Sequence, residues 1–466
     1  MLLAARLLGV EAYGQIVALL AVFTFYCSLS TSIFTMLVVK LMATPEGEDR
    51  SRLLGSGGAW VVCSLSGLTL IVLAAALLAH GVVDAVTWMP DAATLYVLLA
   101  LCVLSAIQIV GAFQLAMIES SGRFDIVTKS QLLGPIVVLA ALLTVFLGDI
   151  ALSERSYVSI LSAGAAVDLG FAWAARRKLL RMAWASADRC QAWRGLWQLL
   201  KSGSLLQATS LMNMFLEPLN KTLLNSFLGG TAVTVYDISM KLIWGIQSMF
   251  SSAMRVFLHI ASQDRTQLEN SFLGAVRLLS VPAVLLHVIG CLFLVGLGRY
   301  WLSLDTRELT VFFAIATLSN LGMIGVGPLY NGIIGTENMG FIFRVQARLA
   351  VINAASSLSL IPVLGVLGAA FGLLLATLYN AIAILQKGKD LVGNDRLFKD
   401  LLRSMDPRIA VATMLFCAAL YCGINSSVAV PLGVAVLASV VIVFVREPAA
   451  IYLFSAIRQR MFARER

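Results

Sequence analysis

The sequence predicts an all-α integral membrane protein with about thirteen full transmembrane helices and a short first helix. Hydrophobic residues make up 59% of its 466 residues, and the mean hydropathy is +0.90. Only 13% of the residues are charged, about half of the roughly 25% that soluble domains carry. Apolar runs long enough to cross a hydrocarbon core of about 30 Å recur along the chain.

Each predicted span is an apolar run bounded by polar or charged residues. No loop between spans exceeds about thirty residues, which leaves no room for a soluble catalytic domain. In chain order, the predicted spans cover 14–40, 53–80, 92–118, 126–147, 157–175, 198–227, 232–257, 272–297, 309–334, 345–361, 365–386, 408–424 and 428–445.

Basic residues are distributed unequally between alternate loops. If the short first helix ends outside the cell, the loops on the other side and the C-terminal tail hold 28 of the 34 Lys and Arg residues. A bias of this kind places those loops and the tail in the cytoplasm. It also accounts for the net charge of +9 without a nucleic-acid partner. Lys241 is the one basic residue that this topology assigns to neither side of the membrane.

The first apolar run breaks early, at ARLLGVEAYG, and an internal repeat explains the break. Met1 to Gly9 reaches only about 14 Å as a helix, half of a hydrocarbon core. Without a gap, LLGVEAYG (7–14) matches FLGGTAVT (227–234), which pairs Gly9 with Gly229. The later copy follows a full span. We therefore expect the first helix to be truncated by a misplaced start codon; a re-entrant segment is the alternative.

Three stretches carry a resemblance to a known family: ARLLGVEAYGQI, SFLGGTAVTVYDISMKL (226–242) and LSLIPVLGVLGAAFGLLLATLYNAI (358–382). They resemble the recurrent hairpins of polysaccharide (O-antigen) flippases in the multidrug/oligosaccharidyl-lipid/polysaccharide superfamily. The resemblance extends over nearly the whole chain, except for the shortened first helix. It implies two six-helix lobes around a central cavity, with two further helices at the C-terminus.

The resemblance also implies a function and a location. Family members export undecaprenyl-diphosphate-linked sugar units to the outer leaflet of the bacterial inner membrane, for polysaccharide or lipopolysaccharide synthesis. The implied partners are the polyprenyl-diphosphate oligosaccharide, the lipid bilayer and a polysaccharide polymerase complex. The predicted segments are an N-terminal lobe (1–175), a basic amphipathic linker (176–197), a C-terminal lobe (198–386), a cytoplasmic loop (387–407), two extra helices (408–446) and a basic tail (447–466).

Polar residues inside spans are costly in lipid, so they mark a cavity or a partner helix. In the spans at 198–227 and 232–257, polar residues recur every three or four residues, on one helical face. These faces are predicted to line a hydrated cavity that binds the substrate; hydrogen bonds within a closed bundle are the alternative. The substrate-binding candidates on the two spans are Gln207, Asn213, Glu217, Asp237, Lys241 and Arg255.

Lys241 is the strongest candidate for binding an anionic head group. It lies about 15 Å from its helix end, too deep to reach the interface easily, whereas Lys221 lies nearer the outer boundary and is predicted to snorkel. Glu217 precedes Lys221 by four residues and Asp237 precedes Lys241 by four, the spacing of helical ion pairs.

Five further charged residues are weaker candidates. Arginine suits phosphate geometry, so Arg6, Arg344 and Arg348 are substrate-binding candidates, with a role as boundary anchors as the alternative. Asp168 and Glu119 lie in or near the inner halves of their spans and are candidates for ion coupling; the alternative is pairing with nearby basic residues.

The sequence therefore predicts a transporter, not an enzyme, that works by alternating access without a cofactor or metal. Its seven cysteines include no C-x-x-C pair, and GVGPLYNGIIG (325–335) lacks the Lys-Ser/Thr of a phosphate loop. Two alternatives stay open. A cation-coupled multidrug antiporter of the same superfamily would need an acidic cavity, and a membrane polysaccharide polymerase or ligase would need a large outside loop.

Overall fold

The structure, a computed structural model, is almost wholly helical over the residues that it describes. The two spans predicted at 408–424 and 428–445, the basic tail and most of the linker lie outside those residues. The described residues are 2–43, 48–81, 92–120, 124–185, 208–209, 212, 216–263, 266–302, 304, 306–335 and 339–392.

Each predicted span from 14–40 to 365–386 overlaps one helix. The helices are α1 (Leu2–Leu8), α2 (Val10–Ala43), α3 (Glu48–Gly81), α4 (Ala92–Ser120), α5 (Phe124–Leu147), α6 (Glu154–Ala185), α7 (216–228), α8 (Gly230–Gln263), α9 (Thr266–Tyr300), α10 (Thr306–Gly335), α11 (Met339–Leu364) and α12 (Val366–Val392).

Seven of the described helices are long and apolar enough to cross a membrane: α2, α3, α4, α6, α10, α11 and α12. Helix α8 has 34 residues, ample for a bilayer, but it is less apolar because it carries Asp237, Lys241 and Arg255. The chain is thus a multi-pass membrane protein.

The turns that end α1 and α7 have the same backbone conformation. Gly9 joins α1 to α2 with a φ of 84°, and Gly229 joins α7 to α8 with a φ of 83°. This left-handed region is accessible to glycine without a steric penalty. Gly365 joins α11 to α12 in the same way, with a φ of 62°. The glycine pairing that the repeat predicted is therefore present in the structure.

The chain divides into two compact units, Met1–Pro218 and Leu219–Arg466. In the first unit α4 packs against α2, α3 and α6, and α5 packs against α6. In the second unit α10 is central, because it packs against α8, α9 and α12, while α11 packs along α12. Apolar side chains of α9, α10, α11 and α12 form one core of this second unit, around Phe272, Leu329 and Ile384.

Candidate functional site

Three charged side chains meet inside the second unit. The carboxylate of Asp237 on α8 is completely buried. Lys221 Nζ on α7 donates to its Oδ1 at 2.6 Å, and Lys241 Nζ on α8 donates to its Oδ2 at 2.7 Å. We refer to these residues as the lysine–aspartate triad. The predicted pairing of Asp237 with Lys241 is confirmed.

The turn at Gly229 brings Lys221 and Asp237 together. Lys221 lies eight residues before Gly229, and Asp237 lies eight residues after it. At 1.5 Å per residue both lie about 12 Å from the turn, so they face each other at the same depth in the α7–α8 hairpin. Lys241 lies one helical turn beyond Asp237, on the same face of α8. The triad thus follows from two sequence spacings and one turn.

The two lysines of the triad differ in exposure. The Lys221 side chain is 4% exposed, whereas the Lys241 side chain is 31% exposed. The prediction that Lys221 snorkels to the outer boundary is wrong, because its ammonium group turns inward to Asp237. The attraction between the Lys221 ammonium group and the buried carboxylate is stronger in low-dielectric surroundings. It outweighs the gain from placing the ammonium group at the membrane interface. Lys241 is therefore the lysine of the triad with the larger accessible surface.

Buried residues next to the triad in the sequence form hydrogen bonds that link α7 to α8 and to α11. Asn220 Nδ2 on α7 donates to Tyr236 Oη on α8 at 3.4 Å, and Asn353 Nδ2 on α11 donates to Asn220 Oδ1 at 3.3 Å. The Tyr236 ring meets Phe312 of α10 edge-to-face, with centroids 5.6 Å apart. Buried amides that bond one another fix helix positions, so these contacts hold Lys221 and Asp237 in register.

Sequence reasoning did not identify Lys221, Tyr236 or Asn353 as parts of this site. Signals for them were present in the sequence. Asn353 is an amide within an apolar span, where an unsatisfied polar group is costly. Asn220 and Tyr236 lie at similar distances on the two sides of Gly229, as Lys221 and Asp237 do.

Of the other candidates on α7 and α8, two lie outside the described residues, one lies one turn before Lys221 and one lies further along α8. Gln207 and Asn213 belong to the residues that the structure does not describe. Glu217 is partly buried, one helical turn before Lys221. Arg255 lies on α8, fourteen residues after Lys241, which corresponds to about 21 Å along the helix.

Asp168 has a structural contact in the first unit. Its Oδ1 accepts the backbone N–H of Gly134 at 2.6 Å, and its backbone carbonyl accepts the hydroxyl of Ser130 at 3.1 Å. Pro135, inside α5, follows the bonded amide directly. Asp168 therefore ties α6 to α5 beside a proline, and a backbone amide takes the place of the basic partner that we expected as the alternative to ion coupling.

The remaining candidates of the first unit are Arg6 and Glu119. The Arg6 side chain is exposed near the end of α1, and Glu119 is partly buried one residue before the end of α4. Their predicted roles in substrate binding and ion coupling stay predictions.

Arg344 and Arg348 line one groove between α11 and α12, which we call the α11–α12 groove. Its volume is about 870 Å³. Both arginine side chains are exposed, and Arg348 Nη1 donates to Tyr379 Oη on α12 at 3.3 Å. Lys387 and Lys389 of α12 line the same groove. The structure therefore brings together two arginines that the sequence presented as separate boundary residues.

The described residues hold no group of three or more His, Cys, Asp and Glu side chains that could bind a metal ion. Among these residues, Cys27, Cys63, Cys102 and Cys291 are free thiols. The charged and hydrogen-bonding candidates described above lie chiefly in the triad and in the α11–α12 groove.

Comparison with known proteins identifies the fold. No protein-family model matches the chain, and no curated protein matches its sequence. A solved structure of the lipid II flippase MurJ, in an inward closed conformation, is similar with a TM-score of 0.69 at 12% identity. The alignment covers 96% of this chain and 95% of that one.

A second solved structure is similar over most of its length. It is an inward-facing multidrug resistance MATE family transporter of the MOP superfamily, with a TM-score of 0.61 at 13% identity. The alignment covers 85% of this chain and 94% of that transporter. Similarity at such low identity concerns the fold alone, and it agrees with the expected all-helical membrane fold. The chain shares its fold with the lipid II flippase MurJ and with a MATE transporter.

Proposed function

We propose that this chain is a transporter that flips polyprenyl-diphosphate-linked oligosaccharide from the inner to the outer leaflet of the bacterial cytoplasmic membrane. The observation that carries the proposal is Lys241, a partly exposed ammonium group within α8, a helix that the sequence predicts to span the membrane. A cation at such depth costs at least about 2.5 kcal/mol on insertion scales. Charged residues within membrane spans are therefore rare and usually mark functional sites.

The geometry of the triad suits an anion that binds and leaves. Asp237 gives one oxygen to each of two ammonium groups, so its attraction is divided between Lys221 and Lys241. Lys221 is sequestered, whereas the Lys241 side chain retains an accessible surface. A diphosphate placed beside Lys241 would gain a charge-assisted hydrogen bond.

Alternating access would carry the sugar diphosphate through a hydrated cavity while the polyprenyl chain stays in the bilayer. Because the cell interior is negative, outward movement of an anion is favourable by about 2.3 kcal/mol per charge per 100 mV. The membrane potential therefore contributes to export. The fold similarity to a lipid II flippase supports a lipid-linked substrate of this kind.

The test is a set of variants in the host, with surface polysaccharide as the readout. Lys241→Ala should abolish export at a normal protein level in the membrane, and Lys241→Arg should retain part of it because the positive charge survives. Arg155→Ala is the matched control, since Arg155 is exposed, contacts the Tyr96 ring at 5.6 Å and lies on the other unit.

A triple variant separates substrate binding from a purely structural role. Lys221→Gln combined with Asp237→Asn and Lys241→Gln removes all three charges of the triad and leaves no lone buried charge. Wild-type export from this triple variant would refute the head-group assignment. Loss of export with normal membrane levels would support it.

A multidrug antiporter is the second candidate, because the fold also matches a MATE transporter. Expression in a drug-sensitive strain separates the two functions. An antiporter would lower the accumulation of a cationic dye, whereas a flippase for an anionic lipid would leave dye accumulation unchanged.

A further inference from the structure

The α11–α12 groove is strongly cationic. Four basic side chains line it, and they face a single carboxylate, that of Asp390. Lys387 Nζ lies 3.8 Å from that carboxylate, at the rim, where Asp390 is 71% exposed. The groove therefore presents an excess of positive charge, as expected for a binding site for an anion. The four basic residues are Arg344, Arg348, Lys387 and Lys389.

The two arginines are available for an anion. They lie one turn apart on α11, and their side-chain contacts are to neutral groups. Arg344 Nε donates to the carbonyl of Gly340 at 3.2 Å, and Arg348 Nη1 donates to the hydroxyl of Tyr379. Within the described part of the chain, no carboxylate lies within 4 Å of either guanidinium. Each has five N–H donors in a planar fork, so most donors remain for phosphate oxygens.

The two helices of the hairpin pack closely near the turn and leave the groove between them at the other end. Near the turn at Gly365, Gly368 lies against the backbone of α11, and a Cβ added at Gly372 would meet Ser357 Oγ at 2.6 Å. At these glycines the two helices approach too closely to leave room for a Cβ. Further along, the larger side chains of Phe341 and Tyr379 line the space between them. The groove is thus formed by two rigid helices and not by a loop.

An apolar stripe continues from the groove along α11. Val351 is 66% exposed and Leu358 is 55% exposed, and both lie on the face that carries Arg348. With Leu219 and Leu223 of α7, they line an apolar pocket of about 320 Å³. From Arg348 to Leu358 the stripe extends about 15 Å. One helix face therefore passes from cationic to apolar, which matches the head and the chain of a lipid.

The groove and the triad use different faces of α11. Asn353, which contacts the polar residues beside the triad, lies five residues after Arg348, or about 140° around the helix. A ligand on the Arg344 and Arg348 face therefore does not lie on the Asn353 face. This separation argues for an occupant other than the transported molecule.

We infer that the α11–α12 groove binds the phosphate head group of an anionic glycerophospholipid, with an acyl chain along the stripe of Val351 and Leu358. The charge bias of the loops predicts that this end of the hairpin faces the cytoplasm, where anionic lipids attract basic residues. The inference does not depend on which molecule is transported.

The test counts lipids that stay bound to the full-length protein in native mass spectrometry. Purified protein in detergent is titrated with phosphatidylglycerol or phosphatidylcholine. Wild-type protein should retain one tight phosphatidylglycerol and no tight phosphatidylcholine. Arg344→Gln with Arg348→Gln should weaken that binding about thirtyfold, since each basic contact to an anionic lipid is worth about fivefold.

Matched variants separate the groove from general attraction between basic proteins and anionic lipids. Lys129→Gln with Arg155→Gln removes two exposed positive charges from the other unit and should leave the tight lipid in place. Arg344→Lys with Arg348→Lys keeps the charge but loses the planar fork, so its affinity should be intermediate. Equal binding by wild type and the Arg344→Gln, Arg348→Gln variant would overturn the inference.

Competition distinguishes the possible sources of phosphate. Inorganic diphosphate at millimolar concentration should not displace phosphatidylglycerol, because it lacks the acyl chain; displacement would mean a site for free phosphate and overturn the lipid assignment. Displacement by equimolar polyprenyl diphosphate would assign the groove to the transported lipid and would also overturn it. Retention of phosphatidylglycerol in both competitions would support the inference.

Discussion

Lys221 on α7 donates to Asp237 on α8 at 2.6 Å, and the two residues lie equally far from the glycine that joins their helices. The pair belongs to the hairpin and not to either helix. Asp237, which joins the two helices, is buried. Lys241, which binds the same carboxylate, is partly exposed.

Asp237→Asn should destabilise the protein far more than Lys241→Gln. The first change leaves two ammonium groups without their shared carboxylate, and removing one partner of a buried pair costs about 3–5 kcal/mol. The second change removes a side chain that is 31% exposed. Thermal unfolding of the purified protein in detergent measures both. Asp149→Asn, at an exposed turn, is the control, and equal shifts for Asp237→Asn and Lys241→Gln would contradict the prediction.

Gly9→Ala should destabilise the protein by about 1–2 kcal/mol, the cost of a left-handed conformation for a residue with a Cβ. The cost is purely conformational, because a Cβ at Gly9 would meet nothing within 4 Å. Gly58→Ala is the matched control, since Gly58 lies inside α3 with the same free space. That change should be neutral or stabilising. Similar unfolding temperatures for the two alanine variants would show that the turn is not fixed.

Gly134→Ala should loosen α5 from α6. The new methyl group would occupy the place of the Asp168 carboxylate, and overpacking of this kind costs about 1–3 kcal/mol. Gly170→Ala on α6 has open space and is the control. In a double-mutant cycle Asp168→Ala should recover part of the Gly134→Ala loss because the clash disappears. Additive changes in unfolding free energy would mean that the two residues do not touch in solution.

Gly368→Ala should destabilise the α11–α12 hairpin more than Gly372→Ala. The nearest atoms to a Cβ at Gly368 are backbone atoms of Leu360 and Ile361, which cannot turn away. At Gly372 the nearest atom is the hydroxyl of Ser357, which can rotate. Limited proteolysis and thermal unfolding of the two variants give the order. The reverse order would mean that the helices separate easily at the turn.

The sequence was informative wherever the evidence was local. Hydropathy located helices α2–α12, and the four-residue spacing of Asp237 and Lys241 predicted their ion pair, because both signals lie within one helix. The partner of Lys221 was missed for the opposite reason. A contact between helices depends on the turn that joins them, and the spacing within α7 points to Glu217 alone.

The α11–α12 groove was missed because hydropathy reports the lipid-buried part of a helix and not its full length. The predicted span ended at residue 386, which left Lys387 and Lys389 in a loop. In the structure α12 continues to Val392, since lysine favours helices, so both lysines line the groove with Arg344 and Arg348. Close contact of α12 with α11 at Gly368 requires three-dimensional information.

The equal spacing around Gly229 also constrains how the protein is made. During synthesis, α7 emerges before α8, and its Lys221 then lacks the Asp237 carboxylate; a cation within a span costs about 2.5–3.5 kcal/mol to insert. Asp237 becomes available only eight residues after the turn. The hairpin therefore enters the bilayer favourably as a unit, and release of α7 into lipid is expected to wait for the first two turns of α8. Insertion of this hairpin is thus expected to follow the order in which its opposite charges leave the ribosome.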